Sequence, residues 1–264
     1  MKFKKYLQPD TIDKIKELAN KGCNLRKISE ELNIPEKRLS DITNFFKVEI
    51  RKNFTYYINH DFFENINSEL KSYILGFLVA DGNISCKKGN RQQRISFCNN
   101  IDDLEVIELI RDSIIPEFVL KTINKSTDSI TRKNTIIFKF SSQQIADDLL
   151  RLGVTPNKTQ DLQFTILDKI PSHLIRDFIR GFLDGDGCVT KSEIKFVSTS
   201  KPFMQEIESI FNELGTTSRL RTDCNKMEYY RLMINLGYES RQKIFDYLYK
   251  DSNYYLSRKK AKFF

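Results

Sequence analysis

Residues 74–85 read ILGFLVADGNIS and residues 179–190 read IRGFLDGDGCVT. Laid over one another at a shift of 105, six of the twelve positions are identical: Ile74/Ile179, Gly76/Gly181, Phe77/Phe182, Leu78/Leu183, Asp81/Asp186 and Gly82/Gly187. Ala80/Gly185, Ile84/Val189 and Ser85/Thr190 are near matches. A self-match of this density marks an internal repeat. The pattern predicts a helix over 68–81 and another over 172–186, each ending at Asp-Gly with the glycine in a left-handed closing position. Gly76 and Ala80, like Gly181 and Gly185, lie four apart and leave each helix a bare face that a second helix backbone can approach. The two copies are expected to pack on each other.

The segments downstream of the two copies also match. Strands are expected at 83–87 and 94–99, a helix at 102–115, strands at 120–125 and 135–140, and a helix at 142–152. The second copy continues with strands at 189–191 and 193–198, a helix at 201–214, strands at 219–223 and 229–235, and a helix at 239–249. The fold class is therefore α+β, with αββαββα repeats at about 69–160 and 172–264 joined by a linker at 161–171. Strands without intervening crossovers imply antiparallel sheets, covered by helices on one face.

Ahead of the repeats, Asp10 is expected to cap a helix carrying Ile12, Ile15, Leu18 and Ala19, stopped by Lys21-Gly22. A second short helix runs from Asn24 through Leu32. Pro35 suits the first position of a third, with Leu39, Ile42, Phe45 and Phe46 on its buried side. These helices, over about 8–48, resemble the helix-turn-helix modules of recombinases and repressors. In that reading Glu36, Lys37, Arg38, Ser40, Asp41 and Asn44 form the exposed face, from which basic side chains reach phosphates or base edges. Residues 1–50 form this module, and the aromatic-rich connector 51–68 is expected to pack on the next domain. His60, in the connector, reads as a structural polar contact.

The 264 residues carry a net charge of +8, of which the first 60 hold +5. The charge favours a polyanionic partner without identifying one. The five cysteines (Cys23, Cys86, Cys98, Cys188 and Cys224) are scattered, with no Cys-x-x-Cys pair. This argues against a disulfide framework and a zinc site. Two histidines leave little imidazole chemistry, so any reaction should rest on carboxylates and lysines. No stretch approaches the roughly 20 apolar residues of a membrane span, so an intracellular protein with no membrane partner is expected.

The repeated motif and its downstream units resemble the LAGLIDADG homing endonuclease family in its single-chain, two-repeat form, over about 195 of the 264 residues. The resemblance implies a monomer that binds double-stranded DNA at a long asymmetric site. It also implies a staggered double-strand break with 3′ overhangs. Two carboxylates at adjacent helix C-termini oppose the macrodipole, and a divalent ion between them turns that penalty into a binding site suited to Mg²⁺. The family assigns the ions to Asp81 and Asp186, with the backbone carbonyls of Ala80 and Gly185.

The family also places a lysine after the last helix of each repeat. Lys158 and Lys259 are the candidates, with Arg258 or Lys260 as alternatives to Lys259. Asn99 and Ser198 are candidates to support the solvent network. The sixth motif position is Val79 in the first copy and Asp184 in the second; only the eighth-position acid is a metal ligand, so this departure leaves catalysis in place. Outward Lys87, Arg94, Lys195, Arg219, Arg221 and Arg231 supply the pattern of a DNA-facing sheet. The rival readings are a catalytically silent LAGLIDADG-derived transcription regulator and an intron RNA maturase.

Overall fold

A computed structural model describes residues 9–20, 23, 25–48, 50, 57–86, 93–124, 134–156, 166–224 and 228–264. The chain divides into two compact units, Met1–Tyr56 and Tyr57–Phe264. In the first, α1 (Pro9–Asn20), α2 (Leu25–Leu32) and α3 (Glu36–Phe45) enclose Ile15, Ile28, Ile34, Leu39 and Ile42. Pro9 rather than Asp10 opens α1, and Asp10 lies in the first turn, where its charge faces the positive end of the helix dipole. Asn33 takes a left-handed φ of 49° in the turn before α3, and Pro35 occupies the N-cap position just outside the helix. Phe45, expected inside, is 66% exposed. The inward stripe of α3 is Leu39, Ile42, Thr43 and Phe46, and Phe45 falls to one side of it. Lys21, Gly22 and Asn24 lie outside the described residues.

The second unit contains both repeats. Ser68 caps α4 (Glu69–Asp81), its Oγ accepting from the Lys71 N–H at 3.4 Å. β1 (Gly82–Cys86) and β2 (Gln93–Asn100) come next, then one 3-10 turn and α5 (Leu104–Ile114), β3 (Lys121–Asn124), β4 (Asn134–Ser141) and α6 (Gln143–Arg151). The second repeat runs through α7 (Ile175–Asp186), β5 (Cys188–Val189), β6 (Glu193–Ser198), α8 (Lys201–Glu213), β7 (Ser218–Cys224), β8 (Glu228–Asn235) and α9 (Tyr238–Tyr249). A one-turn helix, α10 (Ser257–Lys260), comes after it. The strand orders are β1-β2-β4-β3 and β5-β6-β8-β7, antiparallel throughout. The mixed α+β class and the two four-stranded antiparallel sheets are those expected.

Alternation along the strands separates the two faces of each sheet. Ile95, Phe97, Ile136 and Phe138 point inward in the first sheet, and Ile194, Phe196, Leu232 and Ile234 in the second. Each motif helix supplies one phenylalanine to that layer: Phe77 stacks on Phe97 at 6.5 Å and Phe182 on Phe196 at 5.9 Å between ring centroids. The described part of the connector, residues 57–68, also packs on the first repeat. The Asn59 N–H donates to the Ile114 carbonyl at 2.9 Å, and Phe62, Phe63 and Ile66 are buried. His60 lies with Nδ1 2.8 Å from Oγ of Ser142, the residue that caps α6. No helix among the described residues is long and apolar enough to cross a membrane.

The centre of this unit is the contact between α4 and α7. A Cβ at Gly76 would stand 2.0 Å from the Phe178 carbonyl oxygen, and one at Gly181 2.0 Å from that of Tyr73. The contact is reciprocal: each glycine receives the backbone of the other helix. One turn on, a Cβ at Gly185 would meet the Ala80 methyl at 2.3 Å. The Asp-Gly glycines serve differently from expectation. Gly82 and Gly187 have φ of −74° and −70°, ordinary extended values. Glycine is required there by space, since a Cβ would lie 2.6 Å from the Leu78 carbonyl oxygen at Gly82 and 2.6 Å from that of Leu183 at Gly187.

Candidate active site at the helix pair

Asp81 and Asp186 are the last residues of α4 and α7, so the backbone contact that joins the helices carries both carboxylates to one end of the pair. The Oδ2 of Asp81 accepts from Asn99 Nδ2 at 2.7 Å and lies 3.5 Å from where a Gly185 Cβ would stand. Asn99 comes from the end of β2, where alternation turns it inward; it is 5% exposed and its Oδ1 has no hydrogen-bond partner. A buried acceptor left in that state is costly unless a donor such as a bound water reaches it. Asp186 is exposed. Ser198, at the corresponding strand end, accepts from the Ser200 N–H at 3.1 Å.

No group of three or more His, Cys, Asp or Glu placed to hold a metal ion occurs among the described residues. An ion at the helix ends would therefore complete its shell with carbonyl, water or phosphate oxygens. That donor set fits a hard cation of the Mg²⁺ type, which keeps several waters. The orphaned Asn99 Oδ1 is the kind of acceptor such a hydrated group satisfies.

Of the three cations at 258–260, only Lys259 turns toward this end of the helices. Its side chain is buried, and Nζ donates to the carbonyls of Leu183 and Gly185 at 2.8 Å each and to that of Gly187. The ammonium thereby offsets the negative end of the α7 dipole. Burial lowers its pKa to about 8, against the attraction of Asp184 and Asp81. Arg258 instead pairs with Asp103, and Lys260 lies 3.7 Å over the Tyr255 ring. The Gly185 carbonyl, assigned from the sequence to a metal ion, is here an acceptor for Lys259. Lys158 lies outside the described residues.

Asp184 has a role that the motif comparison does not suggest. Its carboxylate is fully buried and accepts from the hydroxyls of Tyr73 and Tyr249 at 2.9 Å each and from the Leu256 N–H at 2.7 Å. Burial raises its pKa to about 6, opposed by those three donors and by Lys259. Burial likewise pushes both tyrosine hydroxyls well above their usual value, with Asp184 adding to the effect. Nearby, Arg180 is fully buried and binds Asp177 at 2.8 Å, Glu69 at 2.9 Å and the Leu248 and Tyr254 carbonyls at 2.7 Å. The mismatch of Val79 with Asp184 is the one signal in the sequence, since a buried acid without a counterpart in the other copy needs donors of its own.

The pairing register puts the sheet cations on the side away from the helices. Arg219 opposes Met233, which opposes Lys195, and Arg221 opposes Arg231, so these four cations share one face of the second sheet. Arg219 and Arg221 are exposed, whereas Lys195 pairs with Glu193 at 2.7 Å and Arg231 with Asp223 at 3.3 Å. A concavity of about 440 Å³ opens between Arg219, Arg221, Met233 and Asn235. Arg94 is exposed on the corresponding face of the first sheet, and Lys87 lies outside the described residues. In the N-terminal unit Lys37, Arg38 and Asn44 are all exposed on α3.

Residues 173–245, from the 3-10 turn just before α7 into α9, match the family model described as a LAGLIDADG-like domain. The match covers α7 through α8 and the strands of the second sheet. A protein of Methanocaldococcus jannaschii described only as uncharacterised is 26% identical over 180 residues, 62% of this chain. The chain spans 60% of the length of that curated relative. The fold is also that of the homing endonuclease I-WcaI, solved bound to its DNA recognition sequence: TM-score 0.55, 13% identity, covering 77% of this chain and 91% of the other. I-DmoI, solved with DNA and Mn, aligns at TM-score 0.45 with 18% identity over 70% of this chain and 98% of its own. The glycine-packed helices α4 and α7 are the centre of this fold.

Proposed function

We propose that the protein is a site-specific double-stranded DNA endonuclease that hydrolyses phosphodiesters with a divalent metal and leaves a staggered break with 3′ overhangs. The observation that carries this reading is the delivery of Asp81 and Asp186 to one end of a glycine-packed helix pair, with the unpartnered Asn99 oxygen beside Asp81. A pure binding protein has no electrostatic reason to set two carboxylates at the negative ends of touching helices. The LAGLIDADG-like domain and the fold shared with I-WcaI support the same reading.

In it, Asp81, Asp186 and the Ala80 carbonyl would hold Mg²⁺, with the Gly185 carbonyl able to join them only through the lone pair that Lys259 leaves free, and the ion would supply positive charge to the attacking and leaving oxygens. Asn99 fixes the Asp81 carboxylate through its amide and accepts a water proton at Oδ1. Lys259 places a cation against the same helix end, and Lys158 is its counterpart in the first repeat. Purified protein with Mg²⁺ should cut duplex DNA drawn from its own candidate insertion site. If such DNA stays intact with Mg²⁺ and Mn²⁺, the nuclease reading fails, and binding without cutting would leave the regulator.

The outward face of the sheets is the proposed DNA-binding surface, through Arg94, Lys195, Arg219, Arg221 and Arg231, with Lys87 added from the sequence pattern alone. Arg219→Ala and Arg221→Ala remove exposed cations that, among the described residues, have no acid bridged to them as Lys195 and Arg231 do. Where either contacts phosphate, affinity should fall and the slope of log K against log salt should flatten by about one. Titration by fluorescence anisotropy at several salt concentrations checks this, and an unchanged slope in both variants removes them from the phosphate-contacting set.

The module of residues 1–50, through Lys37, Arg38 and Asn44, is proposed to extend the DNA footprint of a monomer, raising affinity through effective concentration. Deleting it should weaken binding while leaving metal-dependent cutting at saturating protein. Equal affinity of the shortened and full chains would overturn that role.

A further inference from the structure

The segment that carries Lys259 is held by carboxylates at almost every step. The N–H and the side-chain amide of Asn253 donate to Glu69 at 2.8 and 2.7 Å. Leu256 N–H donates to Asp184. Ser257 gives its N–H and its hydroxyl to the two oxygens of Glu105, at 2.6 and 2.8 Å. Arg258 donates to Asp103 through Nε at 2.7 Å and through a second guanidinium nitrogen. Three of these four acids, Glu69, Asp103 and Glu105, belong to the first repeat, whereas the segment comes after the last strand-helix unit of the second.

The consequence is a crossed arrangement. With Ser257 and Arg258 gripped from the first repeat, the next side chain, Lys259, is directed inward to the α7 carbonyls. Gly185, one of its acceptors, is the residue whose Cβ position lies 3.5 Å from Asp81 Oδ2. We infer that Asp103 and Glu105 are positioning residues, which lock the Ser257–Arg258 step so that Lys259 of the second repeat is seated on the α7 carbonyls at the end of the helix pair that also carries Asp81 of the first. The inference rests on the nuclease reading for its catalytic meaning but not for the lock itself. Asp103 is nearly buried and its charge would be stranded without Arg258, and Glu105 is exposed, so neither acid is explained by packing of α5 alone.

The test has two arms. In the metal-free protein, acetylation of Lys259 by an amine-reactive ester is followed by mass spectrometry. Removing a charge-assisted pair with Asp103→Ala or Glu105→Ala should speed labelling about tenfold, while Glu105→Gln, which keeps one acceptor oxygen, should stay within about twofold of wild type. Glu105 is exposed, so its variants decide the matter if Asp103→Ala fails to fold. In the second arm each strand of the target is followed separately. Glu105→Ala should slow by about tenfold the same strand that Lys259→Met slows, and should add nothing in the Lys259→Met background. Unchanged labelling in the alanine variants, or equal slowing of both strands with additive losses, overturns the inference. If the wild type cuts no DNA, the nuclease reading falls and the labelling arm alone decides the lock.

Discussion

Alanine at Gly76, or at Gly181, should destabilise the protein by about 3 kcal/mol or more, although alanine is the better helix former by about 1 kcal/mol. The two effects have opposite sign, so the measurement decides which dominates. A Cβ at Gly76 would lie 2.0 Å from the Phe178 carbonyl oxygen and 2.9 Å from the Phe182 nitrogen, and at Gly181 2.0 Å from the Tyr73 carbonyl oxygen and 2.9 Å from the Phe77 nitrogen. These are backbone atoms of a helix, which cannot swing aside as a side-chain end would. The helices must separate, and separation opens the Phe77 and Phe182 stacks beneath them and moves Asp81 away from Gly185. Thermal unfolding followed by circular dichroism should show Tm lowered by roughly 6–12 °C. Gly237→Ala is the control, because a Cβ there meets nothing within 4 Å. A Tm at or above wild type in Gly76→Ala would refute close backbone packing.

Asp81→Ala and Asp186→Ala should each reduce cutting by roughly 10³-fold or more, the scale of losing a principal electrostatic contact in a transition state. DNA affinity measured in Ca²⁺ or without metal should stay within about threefold, because neither carboxylate lies on the outward faces of the sheets. Loss of stability does not account for such a result. Asp186 is exposed at a helix C-terminus, so a change in its charge is largely screened by solvent. Asp81 differs in one respect: its removal leaves the amide of buried Asn99 without its acceptor, at about 1–3 kcal/mol. Asp81→Asn, which keeps an oxygen toward Asn99 while removing the charge, separates the two contributions. Gel analysis of both strands alongside a binding titration is the check. Retained cutting in the double variant would place the chemistry elsewhere, and wild-type binding without cutting would favour the silent regulator.

The repeat was legible in the sequence because it consists of local requirements that a linear pattern records. Gly76 and Gly181 match because only glycine admits a crossing backbone, and alternation along the strands follows from having one face on the core. Inward Asn99 could likewise be read from its place at the end of β2. The conformation of Gly82 and Gly187 could not, because an Asp-Gly pair serves equally for a left-handed cap and for a site with no room for Cβ. Nor could the choice among Arg258, Lys259 and Lys260, three adjacent cations of similar chemistry. That choice depends on Asp103, Glu105 and the Tyr255 ring, which lie elsewhere in the chain or act only once the chain has turned.

Asp184 shows the same division. Its presence opposite Val79 is a fact of sequence, but its partners Tyr73, Tyr249 and Leu256 come from three separate elements. The sequence by itself determined the two-copy architecture, the glycine-lined helix pair and the two aspartates at its end, since each follows from spacing within a short window. The tertiary structure decided which lysine reaches that end, which acids hold it there and which carbonyl it occupies. Those outcomes depend on burial and on the meeting of residues up to 184 positions apart, as with Asn253 and Glu69.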